Sequence, residues 1–113
     1  MVELSVGDIV FVNFPFSNLK KSKLRPAVII ADVSNDDWIL CQITSKPYAD
    51  VNSIELNDSN FDSGSLNIRS YIRSGKIFTA HKSINNKQVG KLNIATRQLV
   101  INDIINLISI KIK

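Results

Sequence analysis

The strongest constraint on the fold is a series of short apolar runs, rich in β-branched and aromatic residues and separated by polar segments. Residues 9–14 predict a strand that ends at Pro15, because proline removes a donor from the ladder. Residues 27–30 and 38–43 predict two more strands, and the four turn-forming residues 34–37 between them favour an antiparallel hairpin. The first half of the chain therefore predicts a β-rich fold.

Weaker β signals follow in the second half. Residues 52–56 and 89–92 could each add a short strand, whereas the polar residues 57–67 predict a surface loop. Residues 71–72 and 77–80 flank a Ser-Gly pair, and they form either one interrupted strand or the two arms of a turn.

The tail predicts one helix over residues 96–110, with Thr96 as a candidate N-cap. Its isoleucines recur at helical spacing and form one apolar stripe: Ile94, Ile101, Ile104, Ile105 and Ile108. Because isoleucine has low intrinsic helicity, we expect packing against the strands to hold this helix.

Length and composition restrict the class of protein. A chain of 113 residues predicts a single domain, residues 1–113, and its 44% hydrophobic content is that of an ordinary globular protein. No apolar run approaches the ~20 residues of a membrane span, and no signal-peptide pattern opens the chain, so we expect a cytoplasmic protein. The single cysteine, Cys41, is expected to be buried, and no Cys/His constellation indicates a metal or other cofactor.

The formal net charge of +4 favours nucleic-acid phosphates, although many soluble proteins are equally basic. Residues 17–24 predict a mobile loop, and any one basic cluster alone could be a solvated surface. The positive charges group into three segments: Lys20, Lys21, Lys23 and Arg25; then Lys46; then Arg69, Arg73 and Lys76.

Arg25 and Thr44 form the candidate pair for chemistry. Arg25 precedes the second predicted strand and Thr44 follows the third, so an antiparallel hairpin brings both to one end of the sheet. The alternative is an arginine in a surface ion pair and a threonine that caps a turn. For His81 the sequence leaves two alternatives, a catalytic role and a surface position. Because it is the single histidine, an acid–base mechanism with two histidines is excluded within one chain.

Three segments, residues 7–16 (GDIVFVNFPF), 24–30 (LRPAVII) and 41–45 (CQITS), resemble the MazF/PemK toxin family. Residues 70–73, 76–79 and 89–92 also fit that family, in the same order along the chain. The resemblance implies a mainly β fold, a small SH3-like (MazF/CcdB-type) barrel with a C-terminal helix. It also implies a homodimeric, metal-independent and sequence-selective endoribonuclease that cuts single-stranded RNA by 2′-hydroxyl attack, with a cognate antitoxin as partner.

The same resemblance implies catalytic roles for Arg25 and Thr44. An arginine fork matches two phosphate oxygens but is a poor general base, so we expect it to stabilise charge. The expected RNA-binding residues are Lys20, Lys21, Lys23, Ser45, Lys46 and Arg73, and Phe16 and Tyr48 could stack bases. Some relatives pair the arginine at position 73 with an acid two residues later, but here Gly75 stands in that place, so proton transfer is unassigned.

Two alternatives remain open on the sequence. One is a non-nuclease binding module of the same fold, such as a gyrase-inhibiting toxin. The other is a catalytically dead RNA-binding barrel, which would protect RNA strands without cutting them.

Overall fold

The structure, a computed structural model, describes residues 4–15, 22–46, 53–82 and 85–109. Within these residues lie seven strands, a short 3-10 helix (Asp58–Asn60) and one α-helix. The elements in chain order are β1 (Asp8–Pro15), β2 (Ser22–Ser34), β3 (Asp37–Thr44), β4 (Ile54–Leu56), β5 (Phe61–Gly64), β6 (Ser70–His81), β7 (Asn85–Leu92) and α1 (Ile94–Ser109).

The strands form one antiparallel sheet in the order β4-β6-β3-β2-β1-β7-β5. Its two edge strands, β4 and β5, are joined by only the four residues 57–60. Because so short a connection must bring the edges near each other, the sheet curls into a half-barrel. The predicted fold class, mainly β with a small barrel and a C-terminal helix, is confirmed.

Side chains that alternate along the strands are buried on both faces of the sheet. One cluster combines all but one of the strands with the helix: Ile9, Val28, Cys41, Ile43, Leu56, Ile72, Leu92, Val100 and Ile104. The second lies on the opposite face: Val10, Val12, Ala27, Ile29, Leu40 and Ala80. The Cys41 thiol is buried, as the sequence predicted, and takes part in no disulfide because it is the single cysteine of the chain.

The predicted hairpin of β2 and β3 is confirmed, with Ala27 opposite Gln42 and Ser34 opposite Asp37. The expected loop over residues 17–24 is wrong at its end, because β2 already begins at Ser22 and its first residues pair with the end of β1. Residues 16–21 lie outside the described part of the chain. Cross-strand pairing therefore extends β2 back to Ser22, so that residues 22–24 are strand where composition alone predicted a loop.

The surface loop predicted over residues 57–67 is also wrong in part. Asn57 caps the 3-10 helix by accepting the Ser59 N–H at 3.1 Å, and β5 then adds an edge strand to β7. The polar sequence suits an edge strand whose residues are mostly exposed.

β6 is one strand with a wide bulge, which decides between the two sequence alternatives. Cys41 pairs with Ile77 and Ile43 pairs with Ile72. Between these two pairs β6 has four residues, 73–76, while β3 has only Gln42. We call residues 73–76 the β6 bulge.

α1 packs on the sheet as expected, but of the predicted stripe only Ile104 is buried, because the side of the helix that faces the sheet is rotated away from the other stripe residues. Its buried residues are Thr96, Val100 and Ile104. In contrast, Ile94, Ile105 and Ile108 are 72%, 52% and 54% exposed. The N-cap prediction of Thr96 is wrong: the Asn93 side chain accepts the Thr96 N–H at 2.8 Å, so the helix begins two residues earlier. Among the described residues, no helix has the length and apolarity that crossing a membrane requires.

Candidate functional site

Strand pairing places three polar side chains in one line across the sheet, and a short continuation of one register adds a fourth. Thr44 on β3 lies opposite Tyr71 on β6, and Tyr71 lies opposite Glu55 on β4. The β2–β3 register, with Ala27 opposite Gln42, places Arg25 across from Thr44 when continued by two residues. Directly paired residues point to the same face of a sheet. We call Arg25, Thr44, Tyr71 and Glu55 the polar row.

Arg25 is half-buried and stands where the apolar face gives way to polar residues. It pairs with Val12, which is 1% exposed, and it shares its face of β2 with the fully buried Ala27. A long arginine can cover such apolar surface with its stem while its charged end reaches outward. The predicted meeting of Arg25 with Thr44 at one end of the hairpin agrees with this register.

Thr44 is 6% exposed, and the Lys46 N–H donates to its Oγ1 at 3.2 Å. This bond occupies one acceptor site on the hydroxyl oxygen and fixes its position at the end of β3. The hydroxyl hydrogen is then available for a further acceptor. The turn-capping role considered from sequence is real, and it is compatible with donation to a ligand.

Tyr71 and Glu55 are the members of the polar row that sequence reasoning missed. Tyr71 is 9% exposed, and half-exposed Glu55 pairs with Arg69, with Nε and Oε2 3.3 Å apart. The sequence carried little signal for them, because β4 is a strand of three residues whose neighbour cannot be read from its pattern. Only the pairing of β4 with β6 brings Glu55 beside Tyr71.

Arg73 is the first residue of the β6 bulge. The Cys41 thiol donates to its carbonyl oxygen at 2.8 Å, which ties the start of the bulge to β3. Gly75 is exposed within the bulge. Bulges re-aim side chains beside functional sites, and this one begins two residues after Tyr71 of the polar row.

Only some of the remaining residues that we expect to bind RNA lie in the part of the chain that the structure describes. Ser45 and Lys46 follow Thr44 directly and are exposed. Lys23 lies on β2 opposite Phe14, two residues before Arg25, although its side chain is outside the described part. Lys20, Lys21, Phe16 and Tyr48 all lie outside the described residues.

His81 lies away from the polar row. It pairs with Asp37, at the other end of the β3–β6 ladder from Thr44, which pairs with Tyr71. Seven residues along β3 correspond to roughly 23 Å at the usual rise of a strand. Among the described residues, no group of three or more His, Cys, Asp or Glu side chains could hold a metal ion.

Comparison with known proteins places this arrangement in context. The profile of one family, described as PemK-like, MazF-like toxin of type II toxin–antitoxin system, matches residues 5–108. Among curated protein sequences, none matches the chain significantly.

Several solved structures share the fold. MazE–MazF from Deinococcus radiodurans superposes with a TM-score of 0.73 at 15% identity, covering 94% of this chain and 96% of that one. The Mycobacterium tuberculosis toxin MazF-mt6 gives 0.64 at 16% identity, covering 87% and 91%. An endoribonuclease in complex with its cognate antitoxin, from a mycobacterial species, gives 0.60 at 14% identity, covering 88% and 85%. At these identities the likeness concerns the fold.

Proposed function

Because the chain belongs to the PemK-like, MazF-like toxins of type II toxin–antitoxin systems, we propose that it is an endoribonuclease that cleaves single-stranded RNA. A structural neighbour described as an endoribonuclease supports the same activity. The observation that carries the proposal is the polar row, in which Arg25 and Thr44 lie on adjacent strands and on one face of the sheet. A cationic fork beside a hydroxyl donor is suited to holding a phosphate.

In the proposed reaction, a ribose 2′-oxygen attacks the adjacent phosphorus and the bond to the 5′-oxygen breaks. The products are a 2′,3′-cyclic phosphate and a 5′-hydroxyl, with the proton lost by the 2′-hydroxyl balanced by the one gained at the leaving oxygen. Since the nucleophile belongs to the RNA itself, no metal-activated water is needed, and we propose that the reaction is metal-independent.

Arg25 and Thr44 act on the charge that develops in this step. Negative charge accumulates on the non-bridging oxygens of the five-coordinate phosphorus, and fixed donors aimed at them lower the barrier. Arg25 supplies a planar, permanently charged fork. Thr44 supplies a hydroxyl hydrogen, because its oxygen already accepts from Lys46. Both residues are donors here, and neither is assigned the transfer of protons.

Other residues would hold the RNA on either side of this phosphate. Ser45 and Lys46 extend from Thr44, and Arg73 starts the β6 bulge close to Tyr71. Lys20 and Lys21, which lie between β1 and β2 in the sequence, and Lys23 on β2 are proposed to contact the RNA backbone. Sequence selectivity follows from contacts to unstacked bases, which single-stranded RNA exposes.

Two protein partners belong to the same proposal. Neighbouring structures contain a MazF protein with MazE and an endoribonuclease with its cognate antitoxin, so we propose a cognate antitoxin here. A second copy of this chain is proposed to cover the exposed side of α1, where Ile94, Ile105 and Ile108 face solvent.

The test is incubation of the purified protein with a long single-stranded RNA in excess EDTA, followed by sequencing of the cut ends. We expect discrete cuts with cyclic-phosphate and 5′-hydroxyl ends. Arg25→Ala and Thr44→Val should each slow cleavage by about 100- to 1000-fold, as expected for loss of one donor to an oxyanion. Thr44→Ser, which keeps the hydroxyl, should retain most of the rate.

The matched control is Thr79→Val, the same change at an exposed position near the other end of β6, which should cleave like wild type. Wild-type rates in folded Arg25→Ala and Thr44→Val would contradict the assignment of the site. If folded, antitoxin-free protein cut no RNA, the proposed endoribonuclease activity would be excluded. Gyrase inhibition and RNA protection would then be measured next.

A further inference from the structure

The polar row contains a carboxylate, which is unexpected on a surface proposed to bind phosphates. Glu55 shares its face of the sheet with Tyr71 and Thr44, and its side chain is 51% exposed. A negative charge there repels the RNA backbone, so it needs a role other than phosphate binding.

Proton transfer at the scissile phosphate does not suit Glu55. Tyr71 lies between Glu55 and Thr44, so their strands are two steps apart in the sheet. At the usual strand spacing their Cα atoms are about 10 Å apart, and Arg25 is one strand further. The carboxylate therefore lies to one side of the reacting phosphate and does not contact it.

Stability does not account for the pair with Arg69 either. The two side chains are 51% and 74% exposed, and an ion pair in water contributes little to folding. The contact joins Nε to Oε2. Neither side chain has another ion-pair partner in the part of the chain that the structure describes. Oε1, the second acceptor site of Oε2 and the terminal guanidinium nitrogens therefore remain available to a ligand.

These groups match one RNA base better than the others. The Watson–Crick edge of guanine carries two adjacent donors, N1–H and the N2 amino group, which fit the two oxygens of a carboxylate. Guanine O6 and N7 are acceptors that an arginine recognises. Uracil lacks the amino group, and adenine and cytosine lack the paired donors.

We propose that the Glu55–Arg69 pair binds a guanine base next to the scissile phosphate and thereby sets part of the sequence preference of cutting. This inference rests on the proposed RNA-cleaving function and adds a base-reading site to it. Glu55 accepts from the guanine edge, Arg69 orients the carboxylate and donates to the base, and Arg25 and Thr44 hold the phosphate one step along the polar row.

The experiment has a cleavage arm and a binding arm. In the first, a randomised RNA pool is cut by wild type, Glu55→Gln and Asp62→Asn, and the ends are sequenced. In the second, fluorescence anisotropy follows binding of U-rich oligonucleotides with a single central A, C, G or inosine and 2′-deoxyriboses that prevent cutting. Inosine is guanosine without the N2 amino group of its base, and Asp62→Asn removes one exposed acid from β5 as a matched control.

We expect wild type to enrich guanine at one position beside the cut and to bind the guanine oligonucleotide about 10-fold more tightly than the inosine one. Glu55→Gln should remove both preferences while it still cuts at its best remaining sites, and Asp62→Asn should keep both. Since Glu55 is exposed, the variants should unfold at the wild-type temperature.

Equal binding of guanine and inosine by wild type, or a guanine preference that survives Glu55→Gln, would overturn this inference and leave the nuclease intact. A wild-type protein that cuts nothing but prefers guanine, with the preference lost in Glu55→Gln, would overturn the nuclease proposal alone. Failure of both arms in wild type would overturn both proposals.

Discussion

Among individual side chains, Arg25 and Thr44 take different parts in the proposed chemistry. The guanidinium offers several donors in one plane, whereas the threonine offers one hydroxyl hydrogen whose direction is limited by the bond from Lys46 N–H. Arg25→Ala and Thr44→Val each remove a hydrogen-bond donor and introduce no new charge. Thr44→Ser keeps the hydroxyl group, whereas Thr44→Val keeps the shape of the side chain and loses the hydroxyl. Comparison of the two variants therefore separates the effect of the hydroxyl from the effect of side-chain shape.

Gly7 and Asp8, which open the sequence resemblance, have structural roles. Gly7 has a φ of +96°, and a Cβ there would lie 2.5 Å from Arg97 Cδ. Asp8 is fully buried and accepts the Ser5 N–H at 2.9 Å, with Lys91 Nζ 3.9 Å from its carboxylate. These contacts fasten the start of β1 to β7, away from the polar row.

The buried carboxylate leads to a stability prediction. Asp8→Asn should lower the free energy of unfolding by about 1–3 kcal/mol, because it weakens the contacts to Ser5 and Lys91 in a dry environment. Urea denaturation followed by circular dichroism measures this. Asp32→Asn, at an exposed acid that accepts the Ser34 N–H, is the control and should change stability little. Equal stability of Asp8→Asn and wild type would refute the structural role.

Of the secondary-structure elements, β6 and α1 depart most from simple patterns. The β6 bulge places four residues opposite Gln42, and the Cys41 thiol ties its first carbonyl to β3. Gly75 in the bulge faces the helix, since a Cβ there would lie 3.6 Å from Leu107 Cδ2. α1 has two apolar sides, one buried against the sheet and one exposed.

The buried side of α1 gives a packing prediction. Ile104 is 8% exposed and belongs to the cluster that joins the helix to the strands. Ile104→Ala should lower the free energy of unfolding by about 2–5 kcal/mol through lost contacts and an incompletely filled cavity. Ile68→Ala, at a 65% exposed isoleucine, should have a small effect in the same denaturation experiment. Similar losses for the two variants would contradict the observed orientation of α1.

Taken as a whole, the molecule is a curled sheet whose polar row crosses strands that are distant in sequence. Arg25, Thr44, Tyr71 and Glu55 come from β2, β3, β6 and β4, and the connection of 57–60 holds the two sheet edges near each other. The exposed apolar side of α1 is a second surface of the molecule. We have proposed that a second copy of the chain covers it, because symmetric pairing of two copies is the commonest form of oligomer.

Self-association of the chain can be tested on that surface. Ile105→Lys and Ile108→Lys place charges on the exposed side of α1 and should convert a dimer to a 12.6-kDa monomer. Light scattering coupled to size-exclusion chromatography measures the mass. Val33→Lys, at a 45% exposed residue near the β2–β3 turn, should leave the dimer intact. A monomeric wild type, or dimeric lysine variants, would exclude this interface.

Elements whose signal is local could be predicted from the sequence. Turn residues between two apolar runs were enough to predict the β2–β3 hairpin, and burial of Cys41 followed from its apolar surroundings. The ordered motifs of the resemblance predicted the fold class, and the catalytic roles that they imply for Arg25 and Thr44 stay predictions. The hairpin and the burial of Cys41 were predictable because turn chemistry and alternation act between residues that are close along the chain.

Tertiary structure alone decided the rest. Hydrogen bonding to a neighbouring strand extended β2 to Ser22 and made β5 from a polar segment that local propensity describes as loop. The isoleucine spacing of α1 fits more than one side of a helix, and only the shape of the sheet selected the line of Thr96, Val100 and Ile104. Glu55 entered the polar row because β4 pairs with β6, a contact between residues far apart in sequence that no local pattern encodes.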